Sequence, residues 1–242
     1  TYGHLMGGIG YFDHGFSGRL DWHKNGEVLY EDGYSTTLIA NEAVRIIENK
    51  DESTTLFLYV AFNATHTPIQ AEEKDIELMS YIKDKKERIY AANIFALDRA
   101  VGQIIDSINA NELSDNTLII FFSDNGPVHD IDPVAGVVAA DILNSRGNTI
   151  GLKGSKGSTY EGGIRVPAIF YYNGVLEKTL SNQFFFTDDI LPTILSAAKI
   201  QLDTDIFTGV DRWNDLITNN IRPPKNSITG NVIINDERAL FN

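Results

Sequence analysis

Residues 55–62 (TLFLYVAF) and 118–122 (LIIFF) are unbroken apolar, β-branched and aromatic runs of strand length. An apolar side chain at every position, not every second one, asks for cover on both faces, as in a parallel sheet. Between the two runs, Ile94, Leu97, Val101, Ile104, Ile105 and Ile108 recur at helical spacing within residues 89–113. Strand, crossover helix and strand make a βαβ unit, which predicts an α/β domain whose mostly parallel central sheet has helices on both faces. Loops at the carboxyl ends of such strands are where ligands bind.

The remaining pattern extends this frame. Leu38, Ile39, Ala43, Ile46 and Ile47 predict a helix over 36–50, with the pair Thr36 and Thr37 as its cap. Residues 166–172 (VPAIFYY) predict a further strand, and 188–200 (DDILPTILSAAKI) a helix with a proline near its first turns. The stretch 126–160 has weak periodicity, with a short helix expected at VAGVVAADIL, and a loop of that length is usually functional. Past Leu202 the pattern breaks at Asn219-Asn220 and Pro223-Pro224 before NVIIN resumes a strand. Residues 1–200 thus read as one catalytic α/β portion, and 201–242 as a connection and the start of a small α+β subdomain.

Composition narrows the partners. A net charge of −13, spread along the chain, argues against a nucleic-acid footprint, and an anionic ligand would need local positive charge. No apolar run approaches the roughly 20 residues that cross a bilayer, so no membrane span is expected. The absence of cysteine removes disulfides, thiolate metal sites and a cysteine nucleophile from these residues. The beginning TYGHLMGG carries neither Met nor a signal-peptide pattern and reads as internal to a larger protein.

Three loop clusters carry chemistry-bearing residues: FNATHTP (62–68), SDNG (123–126) and LKGSKGSTYEGGIRVP (152–167). Taken alone, SDNG reads first as a turn, because Asx residues and Asn-Gly favour turns. Asp124 and Asn125 are nonetheless adjacent oxygen donors of the kind Ca²⁺ or Mg²⁺ prefers, though two donors are too few for such an ion. A lone histidine is more often structural than catalytic, but His66 follows an apolar strand, where an imidazole can protonate a leaving group. Lys153, Lys156 and Arg165 stand among glycines in an otherwise acidic chain, as in an oxyanion-cradling loop or a merely solvated one.

Together these words resemble the sulfatase family, of the arylsulfatase type within the alkaline-phosphatase-like superfamily. The likeness rests on FLYVAFNATHTPIQAEE, YAANIFALDRAVGQIIDSI, NTLIIFFSDNG, GLKGSKGSTYEGGIRVPAIF and TDDILPTIL, and covers most of residues 1–215. It implies hydrolysis of sulfate esters on a sulfated small molecule or glycan. By the same resemblance, Asp124 and Asn125 match part of a Ca²⁺ site, with Mg²⁺ as the alternative ion. His66 matches the histidine that contacts the sulfate ester, and Lys156, rather than Lys153, the lysine that binds its oxygens. Glu161 and Arg165 are read as an ion pair that shapes the loop.

Equally informative is what goes unmatched. The family's formylglycine arises from a C/S-x-P/A-x-R motif that these residues lack, as they lack the family's two N-terminal metal aspartates and its lysine-x-histidine motif. The resemblance assigns all of these to a preceding N-terminal part of the same sulfatase, so this stretch alone is expected to be inactive. Pro127 stands where many relatives have a second glycine. The alternatives are a phosphatase or phosphodiesterase of the same superfamily, and a non-catalytic binder of sulfated glycans. An exported protein is expected by analogy, with the sequon Asn63-Ala64-Thr65 too near His66 to carry a glycan.

Overall fold

The computed structural model describes residues 1–128, 147–201 and 206–222, and the backbone of two short strands beyond them. The chain divides into two compact units, Thr1–Ser114 with Ser123–Val166, and Asp115–Phe122 with Pro167–Asn242. The helix expected at VAGVVAADIL lies outside the described residues.

In the first unit, β1 (Tyr2–Gly3), β4 (His23–Lys24) and β5 (Glu27–Val28) form an antiparallel sheet, and β2 (Gly15–Phe16) pairs with β3 (Arg19–Leu20) as a hairpin. Helices α1 (Ser35–Glu48), α2 (Glu73–Leu78), α3 (Lys85–Ala110) and the single turn α4 (Glu161–Ile164) follow. Ile39, Ala43 and Ile47 repeat every four residues on the buried face of α1, the stripe a surface helix needs. Ile39 joins the fully buried Ile9 and Trp22 in one core, against which Val60 and Phe62 pack.

Helix α3 buries small residues instead, with Ala92, Asn93, Ala96 and Ala100 on its inner face. Short side chains let α1 approach closely, and this turns the expected apolar stripe partly outward: Ile94 and Ile105 are exposed. The start of α3 is set by Asp84, whose carboxylate accepts from the N–H groups of Lys86 and Glu87 at 2.9 Å. The expected Thr cap of α1 is corrected. Ser35 and Thr36 are both buried inside the first turn, and the Ser35 hydroxyl donates to Asn63 Oδ1 at 2.9 Å.

The run 55–62 departs most from expectation. It pairs with no strand among the described residues, and every described ladder is antiparallel, so the predicted parallel βαβ pairing is absent from them. Its burial alternates: Phe57 and Tyr59 are 69% and 75% exposed, whereas Val60 and Phe62 face the core. One face is therefore covered, not two, as the period-2 geometry of an extended chain dictates when packing comes from one side.

In the second unit, β6 (Ile119–Phe122) and β7 (Ala168–Tyr171) pair antiparallel, with Ile119 opposite Tyr171 and Phe122 opposite Ala168. Helices α5 (Thr187–Ala197) and α6 (Trp213–Thr218) follow, and the strand expected at NVIIN is β8 (Val232–Ile234), hairpinned to β9 (Glu237–Ala239). Pro192 inside α5 cannot donate to the carbonyl of Asp188. Gly209 packs there so closely that a Cβ would lie 1.9 Å from that oxygen. The core of this unit is ionic. Arg212, 2% exposed, lies 3.4 Å from Asp189 and 3.6 Å from Asp215, and Arg222 reaches Asp215 at 2.6 Å.

Candidate active site

His66 sits on a loop with cis peptides at Ala64–Thr65 and Thr67–Pro68, and buried polar groups hold that loop from below. The Tyr11 hydroxyl lies 3.1 Å from the Asn63 carbonyl and 2.9 Å from that of His66, to which it donates. Tyr34 donates to the Gln70 carbonyl at 2.9 Å, and the Asn93 amide reaches the same carbonyl at 2.7 Å. The two tyrosine rings stack at 5.3 Å. Burial pushes both phenols above their ordinary range, so they stay neutral donors. Asn63 is buried and takes the Ser35 hydroxyl, which agrees with an unglycosylated sequon.

The imidazole itself is set by a backbone acceptor. Nδ1 lies 2.8 Å from the Thr67 carbonyl oxygen, which can only accept, so Nδ1 carries the proton. Nε2 has no hydrogen-bond partner among the described residues. In the neutral ring it is the lone-pair nitrogen, and in the protonated ring it is the free donor. Gly8 lies against this ring: a Cβ built there would stand 3.0 Å from Cε1 and Nδ1. The segment around Gly8 is therefore a wall of the histidine site.

The SDNG and KGSTYEGG loops interlock through their backbones. Gly126 N–H donates to Gly163 O at 2.8 Å, and Lys156 N–H donates to Pro127 O at 2.9 Å. A Cβ on Gly126 would fall 1.9 Å from the Gly162 oxygen, and one on Gly162 would fall 2.1 Å from the Gly154 oxygen. Only bare backbone fits at both places. Gly154 and Gly157, at φ +84° and +89°, hold the turns on either side of Lys156 in the left-handed region that other residues avoid.

This interlock presents three unengaged groups. The Asp124 carboxylate is exposed and has no partner among the described residues. The Asn125 amide nitrogen donates to Gly126 O at 3.0 Å, and its Oδ1 has no partner among the described residues. Lys156 is half-buried with no partner for its ammonium among the described residues, whereas Lys153 Nζ sits 3.7 Å from the centre of the Tyr160 ring. The two lysines thus differ in their surroundings. Arg165 and Glu161 pair at 3.1 Å on the surface, an internal brace of small energy.

Two of the three predicted clusters are therefore joined, while no hydrogen bond or ion pair links the His66 loop to them among the described residues. Among the described residues no group of three or more His, Cys, Asp or Glu side chains gathers as a metal site. Asp124 and Asn125 fit a hard cation by donor type and by their free oxygens, but as part of a ligand set. The sequence reading missed Tyr11, Tyr34, Asn93 and Gly8. Tyr34 directly precedes the first helix, and that was its only visible signal.

The Sulfatase family model matches residues 6–200. The chain belongs to the sulfatase family. It is 32% identical to Arylsulfatase J of Mus musculus over 243 residues, covering 96% of this chain and 38% of that protein. An Arylsulfatase of Hemicentrotus pulcherrimus is 30% identical over 72% of this chain and 28% of its own length. Among solved structures, Ps i-CgsB in complex with k-i-k-neocarrahexaose superposes with a TM-score of 0.77 at 30% identity, over 91% of this chain and 50% of that one. The fold is thus the α/β fold of the alkaline-phosphatase-like sulfatases. The chain spans half the length or less of these three relatives, and no helix among its described residues is long and apolar enough to cross a membrane.

Proposed function

We propose that the full-length protein is a sulfuric ester hydrolase acting on a sulfated saccharide or small molecule, with these residues supplying the sulfate-binding part of its site. The observation that carries this reading is the interlock of the Asp124–Asn125 and Lys156 loops, which sets on one crowded backbone frame a carboxylate, an amide oxygen and an ammonium that have no partner among the described residues. Ps i-CgsB, crystallised with a carrageenan oligosaccharide, supports a saccharide substrate.

In this reading Lys156 binds and partly neutralises the sulfate oxygens, so less charge builds up as the ester breaks. His66, protonated at Nε2 and with Nδ1 anchored on Thr67, gives a proton to the departing alcohol. Asp124 and Asn125 would hold one face of a Ca²⁺ ion, with Mg²⁺ as the alternative, and such an ion supplies positive charge at the sulfate. The formylglycine nucleophile and the remaining metal ligands are assigned to an N-terminal part of the same protein, outside residues 1–242. An exported location follows from the family by analogy.

Assaying the full-length protein on 4-nitrophenyl sulfate and 4-nitrophenyl phosphate, with metal analysis of the same sample, tests this. Preferential sulfate release with one hard cation per chain is expected. Two zinc ions and faster phosphate release would replace the reading with a phosphatase.

A further inference from the structure

A cavity of about 510 Å³ opens in the first unit, lined by Met6, Phe16, Arg19 and Asp21 among others. Its size is that of a small-ligand site. Met6 is two residues from Gly8, a span of at most about 7 Å, and Gly8 packs on the His66 ring. The short segment 6–8 thus borders the cavity at one end and walls the His66 ring at the other.

Its two charges are not equivalent. Asp21 is fully employed: its carboxylate accepts from Met6 N–H at 2.8 Å and Leu5 N–H at 3.2 Å, and lies 3.0 Å from His23 Nε2. These bonds fix the 5–8 segment and leave little acceptor capacity toward the cavity. Arg19 has no ion pair or side-chain hydrogen bond among the described residues, in a chain whose net charge is −13. It stands directly opposite Phe16 in the β2–β3 hairpin, so a free guanidinium and an exposed aromatic ring lie side by side on one wall.

We propose that this wall is a second subsite, which receives the sugar next to the one being desulfated and binds a second sulfate on it through Arg19. The inference rests on the sulfate-ester reading above and deepens it by naming the substrate class, a saccharide sulfated at more than one position. A guanidinium fork matches two sulfate oxygens at once, and the ring of Phe16 offers an apolar face to the C–H face of a pyranose. In a chain of net charge −13, a guanidinium with no partner among the described residues supplies local positive charge for the second sulfate.

Competition against 4-nitrophenyl sulfate hydrolysis by the full-length enzyme tests it, with two probes: a carrageenan hexasaccharide bearing several sulfates, and galactose 6-sulfate. The hexasaccharide is expected to inhibit at least tenfold more tightly than the monosaccharide. Arg19→Gln is expected to shrink that ratio about tenfold, and Arg19→Lys to restore part of it. A ratio as large in Arg19→Gln as in the wild type overturns the subsite, as does failure of the hexasaccharide to compete. A wild-type enzyme that releases no 4-nitrophenol is a different result: it overturns the sulfatase reading, and the subsite with it.

Discussion

Lys156 donates its backbone N–H to the carbonyl oxygen of Pro127 at 2.9 Å, and through that bond the glycine-rich loop is tied to the loop with Asp124 and Asn125. Pro127 stands where the family resemblance leads one to expect a second glycine. Proline lacks an N–H but keeps its carbonyl, and the carbonyl is what the interlock uses.

Gly126→Ala is expected to open this interlock. Its Cβ would meet the Gly162 carbonyl, which is backbone and cannot swing aside. A stability loss of about 1–3 kcal/mol is expected from the overpacking, with activity reduced at least tenfold. Denaturant titration and sulfate-release kinetics on the full-length variant check both, and wild-type values for each would show that the loops are not held this way.

Tyr11 and Tyr34 make a pH prediction whose sign is fixed. Burial raises both folded-state values above the ordinary phenol value of 10. Below about pH 10 folded and unfolded chains both keep the protons, and the contribution is fully present. Above it the unfolded chain ionises first and binds fewer protons, so stability falls as pH rises. Tyr11→Phe should flatten that fall between about pH 10 and 11, while losing roughly 1 kcal/mol at neutral pH with the hydrogen bond to the His66 loop. Urea midpoints of both proteins at pH 8 and near pH 11 measure it; parallel pH dependences would contradict it.

Arg212 anchors the second unit, and its removal strands buried charge. Arg212→Ala leaves Asp189 without an ionic partner at 0% exposure, and a loss of about 3–5 kcal/mol is expected. Arg222→Ala should cost much less, because the Arg222 side chain is 44% exposed and solvent screens its pairing. Equal midpoints for the two variants in chemical denaturation would refute this ranking.

Much of this molecule is readable from periodicity. Ile39, Ala43 and Ile47 mark α1, and the runs that became β6 and β7 are where alternation-free apolar stretches put them. The run 55–62 misled on burial because composition reports what a segment tolerates, whereas cover depends on which elements reach it. At the site, Asp124, Asn125 and Lys156 were legible as turn and glycine chemistry. The Tyr11–Tyr34–Asn93 clamp was not, since it joins residues up to 59 positions apart through hydroxyl and amide bonds that leave no local pattern. Gly8 was hidden for a similar reason: its contact with His66 arises in three dimensions alone.

The two lysines of the glycine-rich loop give the most direct test of the central claim. The Lys156 ammonium has no partner among the described residues, whereas Lys153 lies over the Tyr160 ring, so sulfate binding falls to Lys156. Sulfate release from 4-nitrophenyl sulfate is measured for the full-length enzyme and for Lys156→Ala and Lys153→Ala. A loss of about 10²-fold or more is expected for Lys156→Ala and only a few-fold change for Lys153→Ala. Near-wild-type turnover by Lys156→Ala, or an equal loss in both variants, would contradict it.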